Sequence, residues 1–208
     1  HHPIGVKRPQ DRGVLMREES NGLVRVLRAY VWAAPNSGTV PRILSYLSFM
    51  LSAIIVGSSR IGHTDVIVAT SPQLFCAVAG WALSVLKRCP FVFEVRDLWP
   101  ESVIAVGAMR NGRFVRWAKR LAAFLYRAAD HIVTVGDGYR DGLARIYQVR
   151  PDRVSVIPNG ADVDLFQPQP RDNQVRAELG LANRFVCLYL GTHGMAHGLD
   201  KVVEAAEL

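Results

Sequence analysis

From residue 65 onward, short apolar runs alternate with stretches whose apolar positions recur at helical spacing. The runs 66–70, 91–95, 131–135 and 154–157 are four or five residues long, rich in Val and Ile, and end in polar or turn residues. Between them, 72–87, 113–129 and 138–147 read as helices. Such βα units predict an α/β fold with a parallel sheet covered on both faces. In a sheet of that kind ligands sit beyond the carboxyl ends of the strands. Upstream the pattern differs. Runs 14–19 and 23–28 flank Ser20-Asn21-Gly22, and Asn-Gly predicts a hairpin because both residues tolerate positive φ. After Pro41, residues 43–56 read as a helix, and Arg42 and Arg60 bracket 17 uncharged residues. That is just short of the roughly 18–20 needed to cross a bilayer. Ser45, Ser48 and Ser52 would form one polar stripe on it. The helix reads as buried or interfacial, with a spanning segment as the alternative.

The alternation breaks over 158–170, where three prolines and two acidic residues predict a connection between domains. A helix over 173–180, a strand over 185–190, a glycine-bearing turn over 191–198 and a helix from Leu199 then predict the start of a second α/β domain. The boundaries are set at 1–165 and 166–208. The chain begins at His1 without an initiator Met or a signal-peptide pattern, and stops inside a helical pattern. It reads as an internal piece of a longer protein.

Composition narrows the function classes. With 208 residues, 50% hydrophobic and 21% charged, the chain can bury a core and is not a disordered segment. Cys76, Cys89 and Cys187 lie far apart, which excludes a zinc knuckle or disulfide framework and fits a reducing compartment. The formal charge of +7 is compatible with anionic lipid, nucleic acid or a phosphorylated substrate and does not choose among them. No basic run occurs, and the aromatics sit in apolar segments, so nucleic acid is excluded as the partner. No GxSxG, HExxH or CxxC is present.

Three places could carry chemistry. The turn Gly191-Thr192-His193-Gly194-Met195-Ala196-His197-Gly198 lies between a strand and a helix. Its glycines would let N–H groups approach a phosphate, with His193 and His197 as donors. The plain alternative is a βα turn without ligand. A metal on the two histidines lacks a third ligand. The second place is Glu94-Val95-Arg96-Asp97-Leu98-Trp99-Pro100-Glu101. Glu94 within an apolar strand calls for a partner, and Arg96 is the nearest. Asp97 leaves the carboxyl edge, where it would face a substrate or cap the next helix. Glu101 is either a functional carboxylate or a first-turn acid favoured by the helix dipole. The third is the helix 113–129, with Phe114, Trp117, Leu121 and Leu125 beside Arg113, Arg116, Lys119, Arg120 and Arg127. It is either a surface helix packed by one face or a contact for a membrane or phosphorylated acceptor.

In order along the chain, the segments 91–102, 156–162 with Phe166 and Pro168, and 191–200 resemble family 4 glycosyltransferases of the two-domain GT-B fold. The resemblance covers essentially the whole chain. Ile157-Pro158-Asn159-Gly160 is typical of the family broadly, and Glu94 to Glu101 of its WbuB-like branch in bacterial surface polysaccharide synthesis. The resemblance implies two Rossmann-like domains, an N-terminal one for the acceptor and a C-terminal one for the donor. It implies transfer from a nucleotide-sugar, here a UDP-linked N-acetylamino sugar, to a lipid-pyrophosphate-linked sugar, with retention and without a metal or other cofactor. The location implied is peripheral, on an anionic membrane surface at the inner face of the cytoplasmic membrane.

Where many members end the strand in His-Asp, this chain has Arg96-Asp97, so Asp97 is the carried-over catalytic contact, with Arg96 and Glu101 beside it. Asn159, Gly160 and Asp162 fall at the cleft or hinge. The donor diphosphate is expected at Gly191, Thr192, His193, Gly194, His197 and Gly198, with Thr192 and His197 replacing the family's Arg and Lys. The first strand of the N-terminal domain and the donor-recognising glutamates fall outside this chain, which is therefore expected to be inactive alone. A nucleotide-sugar 2-epimerase of the same architecture and a non-catalytic scaffold domain are the alternatives.

Overall fold

The computed structural model describes residues 13–33, 38–107, 112–194 and 197–206. The hairpin comes first: β1 (Met16–Asn21) pairs antiparallel with β2 (Val24–Ala29), Asn21 opposite Val24. The loop is thus Gly22-Leu23, one position later than Asn-Gly. Gly22 takes φ +60° and Leu23 does not take a positive φ, a turn whose twist matches that of the strands.

Helix α1 (Thr39–Arg60) follows. Its serines hold the preceding segment. Ser48 Oγ accepts from the Trp32 amide at 2.8 Å, and Ser52 Oγ donates to the Tyr30 carbonyl. The polar stripe read from the sequence is therefore a seat for the chain leaving β2. By length and composition the 21 residues from Val40 to Arg60 are apolar enough to cross a membrane. Gly57, near the C-terminal end of α1, is buried against α2, where an added Cβ would meet Leu83 Cδ1 at 2.7 Å, while the other described residues of the helix are half-buried or exposed.

The apolar runs become one parallel sheet in sequential order: β3 (Ile67–Thr70), β4 (Phe91–Val95), β5 (His131–Thr134) and β6 (Val154–Val156). The connections are α2 (Leu74–Lys87), α3 (Glu101–Ala105) with α4 (Arg113–Ala128), and α5 (Asp137–Tyr147). Phe91, Phe93, Val95, Ile132 and Val154 point to one face and bury against Ala77, Ala122, Leu125 and Leu143 from the helices. Burying one such large side chain is worth about 1.5–3 kcal/mol, so this face holds the fold. Small residues let the helices approach closely. At Gly80 an added Cβ would lie 2.5 Å from Ala69 Cβ and 3.3 Å from Phe91 Cε2.

The expectation of a sheet covered on both faces is corrected. α2, α4 and α5 all pack on the Phe93 face, and among the described residues no helix lies on the other, where Val68 is 61% exposed. Parallel connections of one hand that always step in the same direction place every helix on one side. The Glu94–Arg96 pair is corrected for the same reason. Glu94 lies on that open face, between Thr70 and Val133 in the ladder, and makes no ion pair among the described residues. Glu94 is only half-buried, so burial does not demand a countercharge.

The chain divides into two compact units, His1–Pro158 and Asn159–Leu208. The second carries α6 (Gln174–Glu178) and α7 (Leu199–Ala205). None of its described residues is buried. Asn173 Oδ1 caps α6 by accepting from the Arg176 amide at 3.1 Å, and the Arg176 guanidinium donates to the carbonyls of Leu181 and Arg184 at 2.8 and 2.6 Å. The strand expected over 185–190 forms no ladder among the described residues. A strand exists through its partner's hydrogen bonds, and no described segment pairs with this one.

Candidate functional site

The carboxyl end of β4 is fastened from both sides. Ser71, buried after β3, accepts the amides of Arg96 and Asp97 on its Oγ at 3.0 and 3.4 Å, and its own amide donates to the Glu94 carbonyl at 2.9 Å. The Asp97 carboxylate accepts the Ser102 hydroxyl from α3 at 2.9 Å. Asp97 is thus held in place by main chain and side chain together, the preorganisation that a substrate contact needs.

Asp97 lines a cavity of about 410 Å³ within the first unit. Ile43 and Tyr46 of α1, Phe75 of α2, Trp99, and Trp117 and Leu121 of α4 supply apolar wall. Arg42 and Gln73 add polar groups to Asp97. Gln73 is itself engaged, capping α2 by accepting the Cys76 amide at 2.5 Å. A mostly apolar pocket of this size with a few fixed polar groups is the usual form of a small-molecule site.

The other two candidates of this segment stand differently. Arg96 is exposed, and its amide is the group that Ser71 holds. Glu101 does not line the cavity. Its Oε2 accepts the Tyr147 hydroxyl at 2.8 Å, and Oε1 lies 3.4 Å from Lys119 Nζ. Its carboxylate ties α3 to α4 and α5. Burial first, then the hydrogen bond to Glu101 and its charge, pushes the Tyr147 phenol far above its ordinary value. Tyr126 is pushed up by burial, reinforced by the charges of Glu101 and Asp97. Burial also raises the Cys76 thiol. All three cysteines are free.

In the second unit the turn 191–198 folds around one aromatic ring. Tyr189 Oη donates to the Thr192 carbonyl at 2.9 Å, and the rings of His193 and His197 lie 5.9 and 6.1 Å from that of Tyr189. The His197 amide donates to the Gly194 carbonyl at 3.0 Å, and Gly198 reaches α7 with φ +56°. Met195 and Ala196 lie outside the described residues. A Cβ on Gly191 would sit 3.0 Å from Tyr189 Oη, a contact that the exposed ring must yield to by a few tenths of an ångström. Among the described residues no three His, Cys, Asp or Glu side chains gather as metal ligands.

Asn159 and Gly160 open the second unit. Asp162 is structural in its local geometry: Oδ1 accepts the amides of Asp164 and Leu165, each at 3.0 Å, closing the turn that follows.

Residues 2–165 match the profile of glycosyltransferase family 4. The chain belongs to that family. Among curated relatives, family-4 similarity extends to the colanic acid biosynthesis glycosyl transferase WcaI of Escherichia coli K12, 26% identical over 92% of this chain and 48% of the relative. The D-inositol 3-phosphate glycosyltransferase 1 of Catenulispora acidiphila is 39% identical over 99% of this chain and 41% of the relative. The alpha-maltose-1-phosphate synthase of Mycolicibacterium smegmatis is 33% identical over 67% of this chain and 36% of the relative. The chain spans less than half the length of each of these relatives.

The cavity is the feature that periodicity did not reach. Trp117 and Leu121 read as one helix face, and only the fold shows that this face meets α1 and the turn after β4. Ser71 and Tyr189 carry no motif of their own, and Ser102 was read only as the end of the 91–102 segment. Each had a weak signal only in standing beside a strand end.

Proposed function

We propose that the whole protein is a retaining glycosyltransferase that moves a sugar from a nucleotide-sugar to a lipid-pyrophosphate-linked acceptor in bacterial surface polysaccharide synthesis. The observation that carries the reading is the placement, in a family-4 chain, of Asp97 in a cavity at the carboxyl end of β4, anchored by Ser71 and Ser102. The finer assignments follow the resemblance: a WbuB-like transferase, a UDP-linked N-acetylamino sugar as donor, and residence at the inner face of the cytoplasmic membrane. WcaI, a colanic acid transferase by name, supports the polysaccharide setting.

In this reading Asp97 accepts a hydrogen bond from the attacking acceptor hydroxyl and orients its oxygen toward the anomeric carbon. The new C–O bond forms there as the bond to the diphosphate oxygen breaks, and the hydroxyl proton passes to the Asp97 carboxylate that accepts its hydrogen bond. Charge gathers on the leaving diphosphate, a group that the resemblance assigns to His193, His197 and the glycines of their turn. Fixed donors of this kind are worth about 3–4 kcal/mol each in other enzymes. No metal enters the scheme. Arg96 would add positive charge at the same edge, and Glu101 acts through the packing of α3.

The test is to incubate the full-length protein with an undecaprenyl-pyrophosphate-linked sugar and labelled UDP- and GDP-sugars, then count label in the butanol layer. Label carried by one donor supports the reading. A donor chemically altered in the aqueous layer, with nothing in butanol, points to an epimerase. Every donor untouched points to the scaffold alternative.

A further inference from the structure

The polar groups of the Asp97 cavity come from separate elements. Asp97 belongs to the turn after β4, whereas Arg42 belongs to the first turn of α1. No hydrogen bond or ion pair engages the Arg42 guanidinium among the described residues. A guanidinium without a carboxylate partner, set beside an apolar wall, is suited to a phosphate, because its planar N–H fork pairs with two oxygens at once. The wall itself is unsuited to a polar ligand alone. Ile43, Tyr46, Trp117 and Leu121 would strip water from sugar hydroxyls without replacing the hydrogen bonds.

A ligand that satisfies both features has a phosphate head and a hydrocarbon chain. The outer surface of α4 points the same way. Trp117 and Phe124 are 46% and 38% exposed, and α4 carries Arg113, Arg116, Arg120 and Arg127 with no Asp or Glu. α1 likewise has no acidic residue and exposes Val40, Leu44, Leu51 and Ile55 along one stripe. α1 and α4, two of the helices that wall the cavity, thus present apolar and cationic surface to an amphiphile approaching from an anionic layer.

We propose that Arg42 binds the diphosphate of an isoprenoid-type acceptor, while the first branched units of its chain lie against Tyr46, Trp117 and Leu121. The proposal rests on the transferase reading above and deepens it by assigning the acceptor's head and chain to named residues. Asp97 is left for the sugar hydroxyl. The carboxylate does not oppose the phosphate, because a sugar unit separates the two in a sugar-diphosphate-lipid.

Calorimetric titration of the full-length protein with farnesyl diphosphate, farnesol and inorganic pyrophosphate tests each half of the ligand. Farnesyl diphosphate is expected to bind at least tenfold more tightly than either farnesol or pyrophosphate. Arg42→Gln, at an exposed position that leaves the fold intact, should weaken farnesyl diphosphate at least tenfold and leave farnesol unchanged. Trp117→Ala should weaken both isoprenoids and leave pyrophosphate unchanged. In the transfer assay Arg42→Gln should raise the acceptor KM with kcat nearly constant. Pyrophosphate binding as tightly as farnesyl diphosphate, or equal farnesyl diphosphate affinity in Arg42→Gln, overturns the assignment. Sugar transfer with unchanged acceptor KM in Arg42→Gln removes the Arg42 assignment and leaves the transferase standing. Arg42-dependent farnesyl diphosphate binding in a protein that transfers no sugar from any donor keeps the assignment and removes the transferase.

Discussion

The half-buried carboxylate of Glu101 serves the architecture, joining α3 to Tyr147 of α5 and Lys119 of α4. Glu101 sits under α4 with Tyr147 and Lys119 as partners, while Asp97, four residues earlier, meets the cavity. Removing the phenol leaves the half-buried Glu101 Oε2 without its donor, which costs up to about 1–3 kcal/mol. Tyr147→Phe is therefore expected to lower the unfolding free energy by that amount, read from urea denaturation followed by circular dichroism. The two raised phenols also fix a pH dependence. Their protons are held more tightly in the folded chain than in the unfolded one, where the ordinary value is 10. The stability they contribute is whole below pH 10 and is lost as pH climbs above it. The alkaline limb of Tyr147→Phe should be shallower than that of the parent, and an identical limb would contradict this account.

At the scale of elements, strands and helices were legible in the sequence where each made its own pattern. β4 falls on 91–95 as read, and α2, α4 and α5 within two residues of their expected limits. What depends on a partner was not legible. The open sheet face, the unpaired 185–190 segment and the serine seat under Tyr30 and Trp32 are set by neighbours rather than by periodicity. The same holds for the site. Asp97 stood out by its place after a strand, but the cavity around it is assembled from α1, α2 and α4. Helix contacts also give a graded prediction. Gly80→Ala drives a Cβ into Ala69 on the sheet and should cost about 1–3 kcal/mol. Gly142→Ala meets only the Leu98 Cδ1 tip, which can turn away, and the gain of about 1 kcal/mol in helix propensity offsets the contact. Thermal melts in which the two variants lose equal stability would contradict the packing described.

At the scale of the whole molecule, charge and apolar surface coincide. α1, α2 and α4 contain no Asp or Glu, in a chain whose formal charge is +7. If that layer meets a bilayer, the full-length protein should float with liposomes containing phosphatidylglycerol at low salt and release as the screening length shrinks to about 3 Å near 1 M. Arg113, Arg116 and Arg120 changed together to Gln should weaken flotation without unfolding the chain. Equal flotation with neutral liposomes, or none at low salt, would remove the anionic-surface partner.

The most direct test of the central claim is single-turnover transfer to an undecaprenyl-pyrophosphate-linked sugar by the full-length protein and its Asp97→Asn variant. The amide keeps the size of the side chain and its bond from Ser102, and loses the charge that orients the acceptor hydroxyl. The account predicts labelled lipid product from the parent, a rate roughly 10²–10⁴-fold lower in the variant, and an unchanged melting temperature. Equal rates in the two proteins, or no lipid-linked product from the parent with any donor, would contradict it.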